Sequence, residues 1–151
     1  MKYRMVAAFL SMVGMLIASY LFLYKIGKIG TMACGTGGCE TVQTSEWASF
    51  LGVEVSLIGL LGYLGLFLVA MVGLQPPLVG RRGVSLLLVA MSGLGVAFAL
   101  YLTALEVMVI HAICRWCVAS AVIILLVFVA SLMDFRRPAA SHGEPVATLP
   151  S

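Results

Sequence analysis

Charged residues are so sparse along this chain that the stretches between them define its elements. The first charge-free run covers residues 6–24. The second opens at Val55, and the break at Gln75, Pro76 and Pro77 ends its helix near Leu74. The third covers residues 83–105 and the fourth residues 116–133, longer if that helix starts near His111. A hydrocarbon core of about 30 Å takes about 20 apolar residues as helix, so each run is long enough to cross. Backbone groups in lipid have to bond within their own segment, and no period-two alternation supports a barrel. The expected fold is an all-α membrane protein, a four-transmembrane-helix bundle. Its spans fall at about 6–24, 55–74, 85–105 and 111–133, inside a membrane domain of residues 1–137. Residues 138–151, rich in Pro, Ala and Ser, have no core-forming pattern and are expected to be a disordered cytoplasmic tail.

Composition agrees with that reading and narrows it. Of 151 residues, 62% are hydrophobic and 10% charged, with a mean hydropathy of +1.13. A soluble domain carries about 45–50% apolar and about 25% charged residues. A standard soluble enzyme, a disordered chain and a nucleic-acid-binding arm are thereby excluded. The net charge of +3 is too small and scattered to imply an anionic partner. Its placement still matters. Lys2, Arg4, Arg81, Arg82, Arg136 and Arg137 fall on one side of the bundle. Lys25, Lys28 and Arg115 fall on the other, offset by Glu40, Glu46, Glu54 and Glu106. Positive residues favour the inside, so both termini are expected in the cytoplasm. The first run exceeds the 7–15-residue core of a signal peptide and is kept as a span.

That orientation puts all four cysteines on one face. Cys34 and Cys39 stand in the long first loop as Cys-Gly-Thr-Gly-Gly-Cys, and Cys114 and Cys117 start span four as Cys-Arg-Trp-Cys. On an oxidising face, paired spacing reads as two disulfides. In a helix, residues 114 and 117 share a side. The helix N-terminus and Arg115 would favour a thiolate, the reactive form. A short C-x-x-C ring is a poor staple, because loop-closure entropy grows with ring size. This pair therefore reads as redox-active, with a structural bridge as the alternative. Gly35, Gly37 and Gly38 let the loop pair close and keep it accessible for exchange, with a loop staple as its alternative. No metal is expected: one pair belongs to a membrane helix, and no carboxylate pattern accompanies the thiols. His111, three residues before Cys114, either tunes the thiolate or relays a proton, or is a plain interfacial histidine.

After Cys39, residues 41–51 are expected to form a short helix with Trp47, Phe50 and Leu51 on one face. Such a helix would lie in the membrane interface, as a plain anchor or as a cover fencing off a lipid-soluble ligand. Glu106 ends span three near the cysteine face and reads as an interface-exposed carboxylate, with pairing to Arg115 or Lys28 as the alternative, and Trp116 reads as an interfacial anchor.

Two cysteine pairs in this order, Ser45 six residues after Cys39, and Ser56-Leu-Ile-Gly59 continuing to Tyr63 form one pattern. It resembles the vitamin K epoxide reductase family in its bacterial disulfide-forming form. The resemblance runs from span one to about Met133. It implies a four-helix bundle around a quinone, of ubiquinone or menaquinone type, with a horizontal half-helix in the first loop. It implies a membrane thiol:quinone oxidoreductase that oxidises a periplasmic thioredoxin-like (DsbA-like) protein in the bacterial inner membrane. Electrons would pass from Cys34 and Cys39 to Cys114 and Cys117, then to the quinone. By position, Cys34 would be the exposed exchange residue, Cys39 would bridge transiently to Cys114, and Cys117 would face the quinone ring. Candidate pocket residues are Ser45, Phe50, Ser56 and Tyr63. Ser45 could instead cap the short helix, and Ser56 and Tyr63 could instead pack helices, with Gly59 and Gly62 allowing close contact.

Two departures bear on substrate. Members that reduce vitamin K epoxide place Asn before the matched serine and Tyr four residues past the last cysteine. Here those positions are Val55 and Ala121, which favours a plain quinone acceptor. The loop cysteines are also closer together than in many relatives. Where relatives carry a fused thioredoxin-like domain, the short tail here implies a partner in trans. Two rivals predict different behaviour. The other four-span disulfide-bond family, of the DsbB type, has its C-x-x-C in the first loop, the reverse of this order. A structural membrane protein with passive disulfides would never cycle its thiols.

Overall fold

The computed structural model describes residues 2–28, 30, 38–78 and 80–137. Cys34, Gly35, Gly37 and the tail beyond Arg137 lie outside the described residues. Four long helices are present: α1 (Lys2–Lys25), α3 (Val55–Gly73), α4 (Arg82–Leu105) and α5 (Arg115–Arg136). Each is long and apolar enough to cross a membrane. The all-α bundle expected from the charge-free runs is the observed fold. Between α1 and α3 lie a short helix α2 (Gly38–Thr44), a 3₁₀ turn (Glu46–Ala48) and a hairpin of β1 (Ser49–Phe50) and β2 (Val53–Glu54).

α1 packs on α3 and α5, and α4 packs on α5. Ala7, Ala8, Ala18, Leu66, Ala70, Leu88 and Val127 form the core, and large side chains such as Leu16, Leu68, Leu94 and Leu126 face outward. That inversion suits a lipid solvent: small residues let backbones approach, and lipid accepts the large ones. The close approach expected at Gly59 and Gly62 falls elsewhere. A β-carbon at Gly62 would meet open space, and one at Gly59 only Ala18 at 4.0 Å. A β-carbon at Gly14 would collide with the Tyr63 ring.

Where the two ends of the described chain meet, a polar clasp ties the bundle. Arg4 of α1 is 3% exposed. Its Nε donates to Asp134 Oδ2 of α5 at 2.9 Å. Nη1 donates to the carbonyls of Gly73 (2.6 Å) and Leu78 (3.1 Å). Nη2 donates to the Arg81 carbonyl (3.4 Å) and Ser85 Oγ (3.0 Å). Ser85 Oγ donates in turn to Asp134 at 2.6 Å. All five N–H donors of a guanidinium are thereby used. Arg4, read from sequence only as an orienting charge, is thus also the joint between all four spans.

Candidate functional site

At the opposite end, α2 seats one cysteine against another. Gly38 opens α2, and a β-carbon there would lie 2.5 Å from the Ile113 carbonyl oxygen. Only glycine lets α2 rest on that strand of backbone. Cys39, the next residue, is fully buried and shares a cluster with Leu21, Val42 and Cys114. Lys25 Nζ donates to the Gln43 carbonyl at 2.6 Å, tying the C-terminal end of α2 to α1. α2 stops where side chains take its last carbonyls: Thr44 Oγ1 donates to Glu40 (2.7 Å) and Ser45 Oγ to Val42 (2.7 Å).

The single helix expected over residues 41–51 is therefore replaced by an earlier helix, a turn and a hairpin. Leu51 (φ 53°) and Gly52 (φ 81°) form the two-residue hairpin turn, a geometry that no continuing helix can contain. Leu51 ends 89% exposed at the tip. Phe50 packs edge-on against Phe98 of α4, with centroids 5.9 Å apart.

The second cysteine pair is set by the end of α4. There the helix widens into a π turn, Glu106–Ile110, and His111 adopts the left-handed conformation. π turns concentrate at functional positions. The Glu106 carbonyl accepts the amides of His111 and Ala112. Its side chain, 3% exposed, accepts the Cys114 amide at 3.2 Å and contacts the Cys117 thiol. The fourth span consequently starts at Arg115, not near His111. Cys114 is its N-cap, with Sγ accepting the Cys117 amide at 3.4 Å.

Cys39 is disulfide-bonded, and Cys114 and Cys117 are free thiols. The Cys114 thiol is pulled below its ordinary value. The Cys117 thiol hydrogen bond contributes most, aided by the Cys117 and Trp116 amides, and it outweighs burial and the Glu106 charge. The helix start thus acts through hydrogen bonds, while Arg115 points to the exterior. His111 is exposed, its Nδ1 3.1 Å from the Val109 carbonyl. Trp116 is half-buried, its ring 5.1 Å from that of Tyr20.

Cys117 opens on a narrow cleft with a cavity volume of about 30 Å³. Trp47, Val55, Leu102, Leu105 and Ile110 give it apolar walls. Gln43, Ser45 and Glu106 supply its polar groups. Gln43, 7% exposed, directs Nε2 toward Cys117 Sγ at 3.8 Å. Its lining, mostly apolar with a few converging polar groups, matches the chemistry of a hydrophobic ring with polar oxygens, and the cleft has to widen to admit one.

Of the pocket candidates, the fold brings only Ser45 to this cleft. Tyr63 lies in the helical core, with its hydroxyl 2.7 Å from the Ser120 carbonyl and 2.9 Å from Ser120 Oγ. Ser56 is nearly buried, its Oγ without a partner among the described residues. Sequence reasoning missed Gln43 and misread Glu106, expecting an exposed carboxylate. In a regular helix the eight residues from Glu106 to Cys114 would span about 12 Å. Only the π turn and the reversal at His111 fold that distance back. The available signal was a lone carboxylate at the end of an apolar run.

A four-span bundle holding a thiol pair beside an apolar cleft defines a membrane redox protein. The model of the vitamin K epoxide reductase family matches residues 5–132, and the chain belongs to that family. It is accordingly a membrane oxidoreductase of the thiol–disulfide and quinone-reducing kind. Its family uses quinones as electron carriers and works with thioredoxin-like redox partners.

Proposed function

We propose that this protein oxidises a thioredoxin-like partner and passes the electrons to a quinone of the ubiquinone or menaquinone type. Both termini face the cytoplasm of a bacterial inner membrane, and the cysteines face the periplasm. The partner reduces the Cys34–Cys39 pair. Cys39 hands the electrons to Cys114, and the Cys114–Cys117 pair reduces the quinone in the cleft.

The observation that carries this reading is the serial arrangement of three cysteines. Cys39 and Cys114 share one buried cluster, and Cys117 alone of the three lines the cleft. Thiol exchange needs sulfur-to-sulfur contact, and a low-pKa thiol is the better leaving group. Cys114 has that character, so a Cys39–Cys114 mixed disulfide resolves toward Cys114 release. A disulfide at Cys39 with free thiols at Cys114 and Cys117 corresponds to the state after internal transfer and before quinone reduction. Val55 puts an aliphatic group in the cleft where an epoxide-reducing member would have an amide, which favours a plain quinone.

The test uses purified protein, a reduced periplasmic thioredoxin-like protein and a quinone. Wild type reduces the quinone, Cys114→Ala does not, and Cys39→Ala accumulates a mixed disulfide between Cys34 and the partner. Full activity in Cys114→Ala sinks the mechanism.

A further inference from the structure

Quinone reduction moves protons as well as electrons, and the four cysteines do not explain the proton route. Cys114 Sγ accepts the Cys117 amide at the helix N-cap, an arrangement that favours its thiolate. With Cys114 in that form, the thiol pair carries a single proton, on Cys117. That thiol lies between two polar side chains. Gln43 Nε2 faces it at 3.8 Å, and the Glu106 carboxylate touches it from the π turn. Gln43 turns its NH₂ group to the sulfur, and an amide is too weak a base to take the proton. Glu106 is an acceptor, buried to 3% exposure, and it lines the same cleft as Cys117. One of its oxygens is held by the Cys114 amide at 3.2 Å, which fixes the carboxylate over the site. The π turn that carries it follows directly on α4, which runs as an α-helix from Arg82 to Leu105.

We infer that Glu106 is a catalytic residue, the proton carrier between the Cys117 thiol and a quinone oxygen in the cleft. The inference rests on the proposed quinone reduction and deepens it. In the step, the Cys114–Cys117 S–S bond forms and the Cys117 S–H bond breaks. Two electrons leave the sulfurs and reduce quinone to quinol. Glu106 takes the Cys117 proton and delivers it to one quinol oxygen. Water at the membrane face supplies the second proton, replacing the one that Cys114 has already released. A carboxylate placed this way acts as general base and then general acid.

Glu106→Gln separates this role from a structural one. The amide oxygen still accepts the Cys114 N–H, yet the side chain can no longer carry a proton. Glu106→Gln is expected to lose about 10²–10⁴-fold in quinone reduction, with Glu106→Asp recovering part of it. Oxidation of Cys114 and Cys117 by ferricyanide, which takes electrons and no protons, with no quinone present, leaves the Cys117 proton in the site and provides a second readout by difference infrared spectroscopy. A protonated-carboxyl band is expected in wild type and absent in Glu106→Gln. Quinone reduction by Glu106→Gln at the wild-type rate overturns the inference, and so does the absence of that band in wild type. Should Glu106→Gln fail to fold, the wild-type band decides. Wild type that shows the band but reduces no quinone would instead refute the proposed function.

Discussion

The two ends of the bundle use buried polar groups in opposite ways. At the clasp end, Arg4 spends every donor on Asp134, Ser85 and three carbonyls. The helices that meet there are regular to their ends. At the cysteine end, α4 unwinds into a π turn, His111 turns left-handed, and α5 begins on a sulfur cap. Buried Ser56 Oγ and Glu54 Oε2 there have no partner among the described residues, and neither has Ser11 Oγ in the first half of α1. A saturated network rigidifies a fold, whereas the interrupted backbone at the cysteine end brings Glu106 and the thiols together. Stability and reactivity are thus kept about one membrane thickness apart, so that thiol cycling need not loosen the bundle.

The sharpest way to break that contrast is Arg4→Met. It strands Asp134 in the core, and removing one partner of a buried pair costs about 3–5 kcal/mol. Thermal unfolding in detergent should show that loss, while turnover per folded molecule stays unchanged. The double variant Arg4→Met with Asp134→Leu should regain most of the stability. A turnover loss in step with the stability loss would show that the ends are coupled.

Gly38→Ala attacks the other end. Its β-carbon would meet the Ile113 carbonyl oxygen at 2.5 Å, and such overpacking costs about 1–3 kcal/mol. α2 would shift from the 111–114 segment and separate Cys39 from Cys114. Stopped-flow measurement should find the transfer between the cysteine pairs slowed, with quinone reduction from a prereduced Cys114–Cys117 pair preserved.

A pH series on protein with that pair reduced gives the next effect. Hydrogen bonds hold the folded Cys114 thiol below its unfolded value. Between the two values the unfolded chain binds more protons, so stability rises with pH across that window. The contribution is complete above the ordinary thiol pKa of about 8.5 and is lost as pH falls through the lowered one. Thiolate absorbance should persist below the ordinary range, and Cys114→Ser should abolish that component.

Tyr63→Phe should have the smallest effect, because it removes one neutral hydrogen-bonding group at Ser120. A typical bond of that kind is worth about 0.5–1.5 kcal/mol. Unfolding should report that loss with no change in the KM for quinone. A raised KM would return Tyr63 to the ligand site.

The legible features were those with local signatures. Four spans follow from charge-free length, and the two cysteine pairs from spacing. The illegible ones depended on residues distant in sequence or on a local break in helix. Arg4 looked like an orienting charge because its partner Asp134 lies 130 residues away. Gly59 and Gly62 looked like packing glycines, yet the tight contacts between helices include Gly14 on Tyr63, Gly65 on Met91 and Gly95 on Ile124. The helix over 41–51 looked continuous because its aromatic residues suited one face. The chain spends that face on a hairpin whose turn needs Gly52.

By itself, the sequence determined that the chain crosses a membrane four times, because lipid forces every long apolar run to satisfy its own backbone. It also determined that four thiols are available in two close pairs, because spacing limits which sulfurs can meet locally. Only the tertiary structure decided what surrounds those thiols. Whether Glu106 faces lipid or sulfur depends on a π turn and one left-handed residue. Such backbone choices are set by the packing of α2, α4 and α5 together, and no local residue pattern encodes them.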